Sequence, residues 1–171
     1  AVGLDLARQP VKDVDLGHTV PSFGDMSAGT CIRHREYVTD IQATGSSLFS
    51  ATAFSVNPGL PQTFPWLYAI AENYQQFVIR GMVFEFVSTT SEYSSQSALG
   101  SVIMATEYDV SQPTFPNKIS MENSQYCTSS KPSQDIMHPI ECAKSVTNNP
   151  IKYVRNGPVP TGADPRLYDH G

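Results

Sequence analysis

The sequence predicts an all-β sandwich or barrel, and three observations carry that expectation. Thirteen prolines and eleven glycines are spread along 171 residues, which makes turns frequent and elements short. Several stretches alternate apolar and polar residues with the period of a half-buried strand. Strands and helices do not succeed one another in the βαβ manner, so a parallel sheet is not expected. A chain of this length suits one domain with an arm, and it buries roughly 70% of its unfolded surface on folding.

Residues 1–30 are a polar lead without a sustained period and are expected to be an extended arm or linker; residues 31–171 form the domain. Within the lead, Asp13-Val14-Asp15 reads as a solvated turn rather than a ligand pair. From Arg33 to Thr44 one face carries Tyr37, Thr39 and Ile41 and the other Glu36, Asp40 and Gln42, the alternation of a first strand. Ser47–Val56 is a second strand, stopped by the turn residues Asn57-Pro58-Gly59.

A helix of about three turns is then expected from Pro65. Proline suits a first helical turn, where its missing N–H leaves nothing unsatisfied, and Leu67, Ile70, Ala71, Tyr74 and Phe77 form one apolar stripe. Gln76–Thr90 reads as a long central strand with apolar residues on both faces, followed by a polar loop over 91–100. Ser101–Val110 is the next strand, with Val102, Met104, Thr106 and Tyr108 on one face. A long connection over 112–135 holds a helical turn near Lys118–Asn123, and the strands Ile136–Ala143 and Ile151–Asn156 complete the order.

The net charge of -5 and the pI near 5.2 argue against a nucleic-acid groove within these residues. The eleven Lys and Arg are scattered, and their closest grouping is Arg33-His34-Arg35. Cys31, Cys127 and Cys142 have no C-x-x-C spacing, and the odd count fits reduced thiols better than a disulfide framework, with a Cys127–Cys142 bridge as the alternative. The sequence holds no N-x-[ST] sequon, no apolar run near the ~20 residues that span a bilayer and no signal-peptide core, so no membrane partner is expected. It opens at Ala1 rather than Met, as a trimmed or processed chain does.

Catalytic motifs do not emerge. G-x-S-x-G, P-loop, H-E-x-x-H and dinucleotide patterns are missing, and His18, His34, His138 and His170 share no metal-ligand spacing. His138 with Cys142 reads as a buried structural pair rather than a nucleophilic dyad. No catalytic residue is expected, and no enzyme. One acidic group has more to offer. Glu107 and Asp109 stand two apart at a strand end and so share a face. Paired carboxylates repel unless a cation answers them, either a hard divalent ion such as calcium or a neighbour's Arg or Lys; a solvated strand end is the plainer reading.

Three stretches, "HREYVTDIQAT", "FSVNPGLPQTFPWLYAIAENYQQFVIRGMVFEFV" and "GSVIMATEYDV", resemble the shell domain of tombusvirus-like coat proteins. These build small icosahedral plant RNA viruses, with related coats in environmental single-stranded DNA viruses. The likeness runs over about residues 31–170, and the N-P-G…F-P-W-L-x-x-I-A box is its most specific part.

The resemblance implies an eight-stranded antiparallel jelly roll, of which strands B to G would lie at 33–44, 49–56, 76–87, 100–108, 136–142 and 151–155. The 65–74 helix would join C to D and face neighbouring subunits through Pro65, Trp66, Leu67 and Tyr68. The last two strands, H and I, would lie in a further segment. The implied function is a capsid protein that self-assembles into an icosahedral shell around a genome. Its partners would be other copies of itself, and viral nucleic acid through a basic segment not present here; it would reside in the virion and assemble in the host cell. The resemblance also implies calcium between subunits, held by Glu107, Asp109 and the neighbour's Glu141, with neutral Gln112 where a third acid can stand. The alternative from another class is a secreted β-sandwich carbohydrate-binding module, with Trp66, Tyr68 and Tyr74 as its platform, although their helical spacing fits core or interface better.

Overall fold

The computed structural model describes residues 29–42, 48–90, 100–147 and 149–171. The arm expected over residues 1–30 lies outside them except for its last two residues, as does the polar loop before Gly100. In chain order the elements are α1 (Tyr68–Ala71), β1 (Gln76–Phe77), β2 (Met82–Phe86), β3 (Val102–Ala105), α2 (Lys118–Glu122), β4 (Cys127–Ser130), β5 (Ile136–Ile140) and β6 (Lys152–Tyr153), followed by a 3-10 turn at Pro165–Leu167.

Every strand pair is antiparallel, and the pairs are nested. β3 pairs with β4, with Val102 opposite Ser130 and Ala105 opposite Cys127. Around it β2 pairs with β5, from Met82 opposite Ile140 to Phe86 opposite Ile136. Outside that, β1 pairs with β6, Gln76 opposite Tyr153. A further step outward, the Val56 N–H donates to the Gly171 carbonyl at 2.8 Å and the His170 N–H donates to the Val56 carbonyl at 3.0 Å. The chain therefore folds as one long ribbon doubled back on itself, the connectivity from which a double-sheet roll is made.

Side-chain alternation sets which face turns inward. In β5 Ile136, His138 and Ile140 are buried while Met137 and Pro139 are exposed; in β2 Met82, Phe84 and Phe86 turn inward and Val83 and Glu85 outward. Val56, Leu60 and Ala71 supply the remaining fully buried apolar side chains. Burial of this kind stabilises by about 25 cal/mol per Å² of apolar surface. His138 sits at 3% exposure between two threonines, its Nε2 2.7 Å from Thr106 Oγ1 and its Nδ1 2.9 Å from Thr128 Oγ1, tying β5 to the end of β3 and to β4. Burial lowers its pKa, so the ring is held neutral.

Asn57 explains the N-P-G box better than a turn does. Its side chain is fully buried; Nδ2 donates to the Tyr153 and Tyr168 carbonyls at 2.9 and 2.8 Å, and Oδ1 accepts from the Gly59 and Arg155 N–H groups at 3.1 and 3.2 Å. A Cβ at Gly59 would lie 2.4 Å from the Arg155 carbonyl oxygen, so only glycine fits against β6's exit.

The six described strands are not the six expected. Residues 33–42 make no ladder among the described residues, and they expose Tyr37 (67%) and Ile41 (60%), because an alternating segment becomes a strand only when a partner edge accepts its backbone. In the stretch expected as the second strand, Val56 makes ladder-like contacts. The expected 76–90 strand is split, since β1 and β2 pair with different partners and 78–81 carries the chain between them. β4 lies in the stretch expected as a connection: Cys-Thr-Ser-Ser has no apolar alternation, and its pairing with β3 decides its state. α2 falls where the single helical turn is expected, capped by Asn117, whose side chain accepts from the Ser120 N–H.

Candidate assembly interface

Two regions carry the residues singled out by sequence. The first is α1. Its helix is one turn, Tyr68–Ala71, where the apolar stripe predicts about three, although turns wind from Phe64 through hydrogen bonds such as Tyr68 N–H to the Phe64 carbonyl at 3.1 Å. Pro65 is exposed, Trp66 is 46% exposed, and Leu67 and Tyr68 are half-buried. The helix has no side-chain cap of its own at Leu67. A carboxylate from far upstream takes that place: Glu36 Oε2 accepts from the Trp66 N–H at 2.6 Å and the Leu67 N–H at 3.4 Å. The His34 ring lies against Trp66 with centroids 3.8 Å apart. Neither contact is visible in the sequence, because the partners are about thirty residues apart.

The second region is the loop after β3. Glu107 Oε1 accepts from the Asp109 N–H at 3.0 Å, and Asp109 in turn accepts from Ser111 and from Gln112 Nε2, the latter at 3.1 Å. Those hydrogen bonds, led by the Ser111 hydroxyl, hold the Asp109 carboxyl below its ordinary pKa, and the positive charge of Arg166 acts the same way. The loop thus presents an ionised carboxylate. Glu141 is exposed, at the end of β5, and its Oε1 accepts from the Ala143 N–H at 2.8 Å.

Tyr108 joins the two acidic ends. Its hydroxyl accepts from the Glu141 N–H at 2.6 Å, and its ring meets Tyr126 and His170 edge-on at 4.7 and 5.8 Å. Its pKa is raised, chiefly by burial. His170 Nε2 donates to the Glu141 carbonyl at 3.0 Å, which places the end of β5 and the C-terminal residues on one side of the tyrosine. The sequence places Tyr108 on the inward face of its strand; its link to Glu141 has no sequence signal.

Within one copy these acids do not gather: among the described residues no three His, Cys, Asp or Glu side chains converge on a metal position. Each carboxylate is turned to a local backbone N–H and keeps its remaining oxygen lone pairs outward, the posture of a half-site that a second molecule would complete. The nucleophilic dyad is not formed either. Both ring nitrogens of His138 are engaged by threonines, and the Cys142 thiol donates to the Ile140 carbonyl at 3.4 Å. All three cysteines are free thiols.

Comparison with known proteins places this geometry. A model of the viral coat protein (S domain) family matches residues 9–152. The capsid protein of Cucumber necrosis virus is 34% identical over 73 residues, 39% of this chain and 19% of that protein. The capsid protein of Oat chlorotic stunt virus (isolate United Kingdom) is 35% identical over 85 residues, 47% of this chain and 19% of that protein. Each match therefore spans about a fifth of its relative's length. The X-ray structure of Melon necrotic spot virus superposes with a TM-score of 0.57 at 23% identity, over 69% of this chain and 36% of that one. The crystal structure of Cucumber Necrosis Virus does so with the same score at 24% identity and the same coverage. At that identity the likeness speaks for the fold, a mostly-β architecture of the jelly-roll class.

Proposed function

The chain belongs to the viral coat protein (S domain) family, and on that premise we propose that it is shell-forming material of a capsid, which assembles with further copies of itself into an icosahedral shell around a viral genome. The family match over residues 9–152 carries this reading. The role is structural: no catalytic step is assigned to any residue. Copies would meet through surfaces such as the one built by Pro65, Trp66, Leu67 and Tyr68, with Trp66 burying its exposed half against a neighbour. The acidic composition assigns contact with nucleic acid to a basic segment other than these residues. The virion is the place of action, with assembly in the host cell. Negative-stain images of purified protein test the proposal: uniform round particles are expected, and a sample that stays monomeric at high concentration removes it.

Calcium is part of the same reading. Glu107 and Asp109 of one copy and Glu141 of another would supply hard oxygen ligands, with Gln112 contributing a neutral one. Asp109 is already held ionised by its loop, so no proton need leave it when the ion binds. The bound ion would supply positive charge that cancels the repulsion between carboxylates of two copies. An ion at about one hundred times its dissociation constant stabilises the occupied state by about 2.7 kcal/mol. Assembled particles should therefore melt several degrees lower with chelator than with calcium at neutral pH. Equal midpoints in the two buffers would leave the carboxylates to salt bridges alone.

A further inference from the structure

We propose that residues 30–36 form a latch over α1, held shut by Glu36, and that the α1 surface is offered to a second copy only while the latch is closed. The second clause rests on the assembly reading above; the first does not.

The latch follows from how the segment is attached. Among the described residues no backbone hydrogen bond joins 29–42 to any other segment. Four side-chain contacts do. The Tyr74 hydroxyl donates to Thr30 Oγ1 at 3.0 Å, His34 stacks on Trp66, Arg35 pairs with Glu85 on β2 at 2.5 Å, and Glu36 receives the Trp66 and Leu67 N–H groups. The Arg35 side chain is 80% exposed, so its ion pair adds little. A segment held by a few solvent-facing contacts opens far more readily than a β ladder.

Glu36 is the contact that matters to its neighbour. The first turns of a helix leave N–H groups without internal partners, and α1 has no local cap. A carboxylate there satisfies two donors and also answers the positive end of the helix. When the latch opens, Trp66 and Leu67 lose those partners, the winding from Phe64 loosens and Trp66 loses its fixed position. The exposed strip of Tyr74, Ile32 and Trp66, at 37%, 37% and 46%, exists as one surface only in the closed state. Glu36 is accordingly a positioning residue.

The sequence contains a single tryptophan, so Trp66 fluorescence reports the latch directly. In the unassembled chain, Glu36→Ala should shift Trp66 emission to the red and speed tryptic cleavage after Arg33 and Arg35 about fivefold, the factor to which loss of an ordinary cap converts. The β-sheet circular dichroism should stay unchanged, and Glu36→Gln, which keeps an acceptor oxygen, should fall between. The concentration at which particles form should rise about fivefold in Glu36→Ala by the same conversion. Unchanged emission and cleavage would overturn the latch. Faster cleavage with an unchanged assembly threshold would overturn its link to the second copy. Failure of the wild-type chain to assemble would remove the capsid reading and that link together, while emission and cleavage still decide the latch. Should Glu36→Ala not fold, His34→Ala, which touches no core hydrogen bond, carries the same emission and cleavage readouts.

Discussion

Asn57 makes four hydrogen bonds from a fully buried position, and each of its partners lies on a different part of the ribbon: the turn at Gly59, the strand end at Tyr153, the exit at Arg155 and the C-terminal Tyr168. Replacing it by alanine leaves two buried carbonyls and two buried N–H groups without partners, a loss of about 2–4 kcal/mol. That corresponds to a fall in the melting midpoint of roughly 5–10 °C for a chain of this size, and thermal denaturation followed by circular dichroism measures it. His138 sets a second expectation. Burial lowers its folded-state pKa below the usual 6.5, so the unfolded chain binds the extra proton first as pH falls. The stability it contributes is full above about pH 6.5 and is lost progressively below that. His170, buried at 3% with a lowered pKa of its own, adds to the same slope. The midpoint should therefore drop between pH 7.5 and 5.5, and His138→Gln should flatten part of that fall.

At the scale of elements, α1 tests whether the aromatic box serves the core or a contact. Trp66 is half open to solvent and its indole touches His34 rather than a buried neighbour, so Trp66→Ala removes little buried surface from the isolated chain. A cost under about 1 kcal/mol to the monomer is expected, in line with surface substitutions, together with a large loss of particle yield. Equal loss of both would place the side chain in the core.

The same element shows what sequence could and could not supply. Pro65 and the apolar stripe located the winding, because helix periodicity is local. They overstated its length, because the cap that starts it comes from Glu36 and nothing after Ala71 continues it. β5 was legible for the same reason as α1: Ile136, His138 and Ile140 alternate strictly with outward residues. β4 was not, since Cys127–Ser130 owes its state to β3 across the ladder. Of the acidic site, Glu107 and Asp109 could be named from their spacing, whereas the Tyr108 bridge to Glu141 depends on two strands meeting.

The molecule as a whole is a ribbon closed from the inside outward, and its rungs are unequal. β2 and β5 match over five residue pairs, β3 and β4 over four, β1 and β6 over two, and the outermost contact is held at Val56. A ladder opens at the cost of the contacts it breaks, so protection against hydrogen exchange should follow this order. Amides of β2 and β5 that lie in the ladder should exchange slowest, on the order of a thousandfold or more below the unfolded rate, because freeing them also exposes Phe84, Phe86, Ile136 and Ile140. Those of β1 and β6 should be intermediate. Amides over 36–42 should exchange at nearly the unfolded rate, since no backbone acceptor is given to them among the described residues. Assembly, if it pairs that alternating segment with a neighbour's edge, would protect precisely these slow-to-pair positions and leave the inner rungs as they were. Exchange measured on the free chain and on particles separates the two contributions: protection of 36–42 already present in the free chain would contradict the unpaired state described here, and inner rungs that exchange faster than β1 and β6 would contradict the nested order.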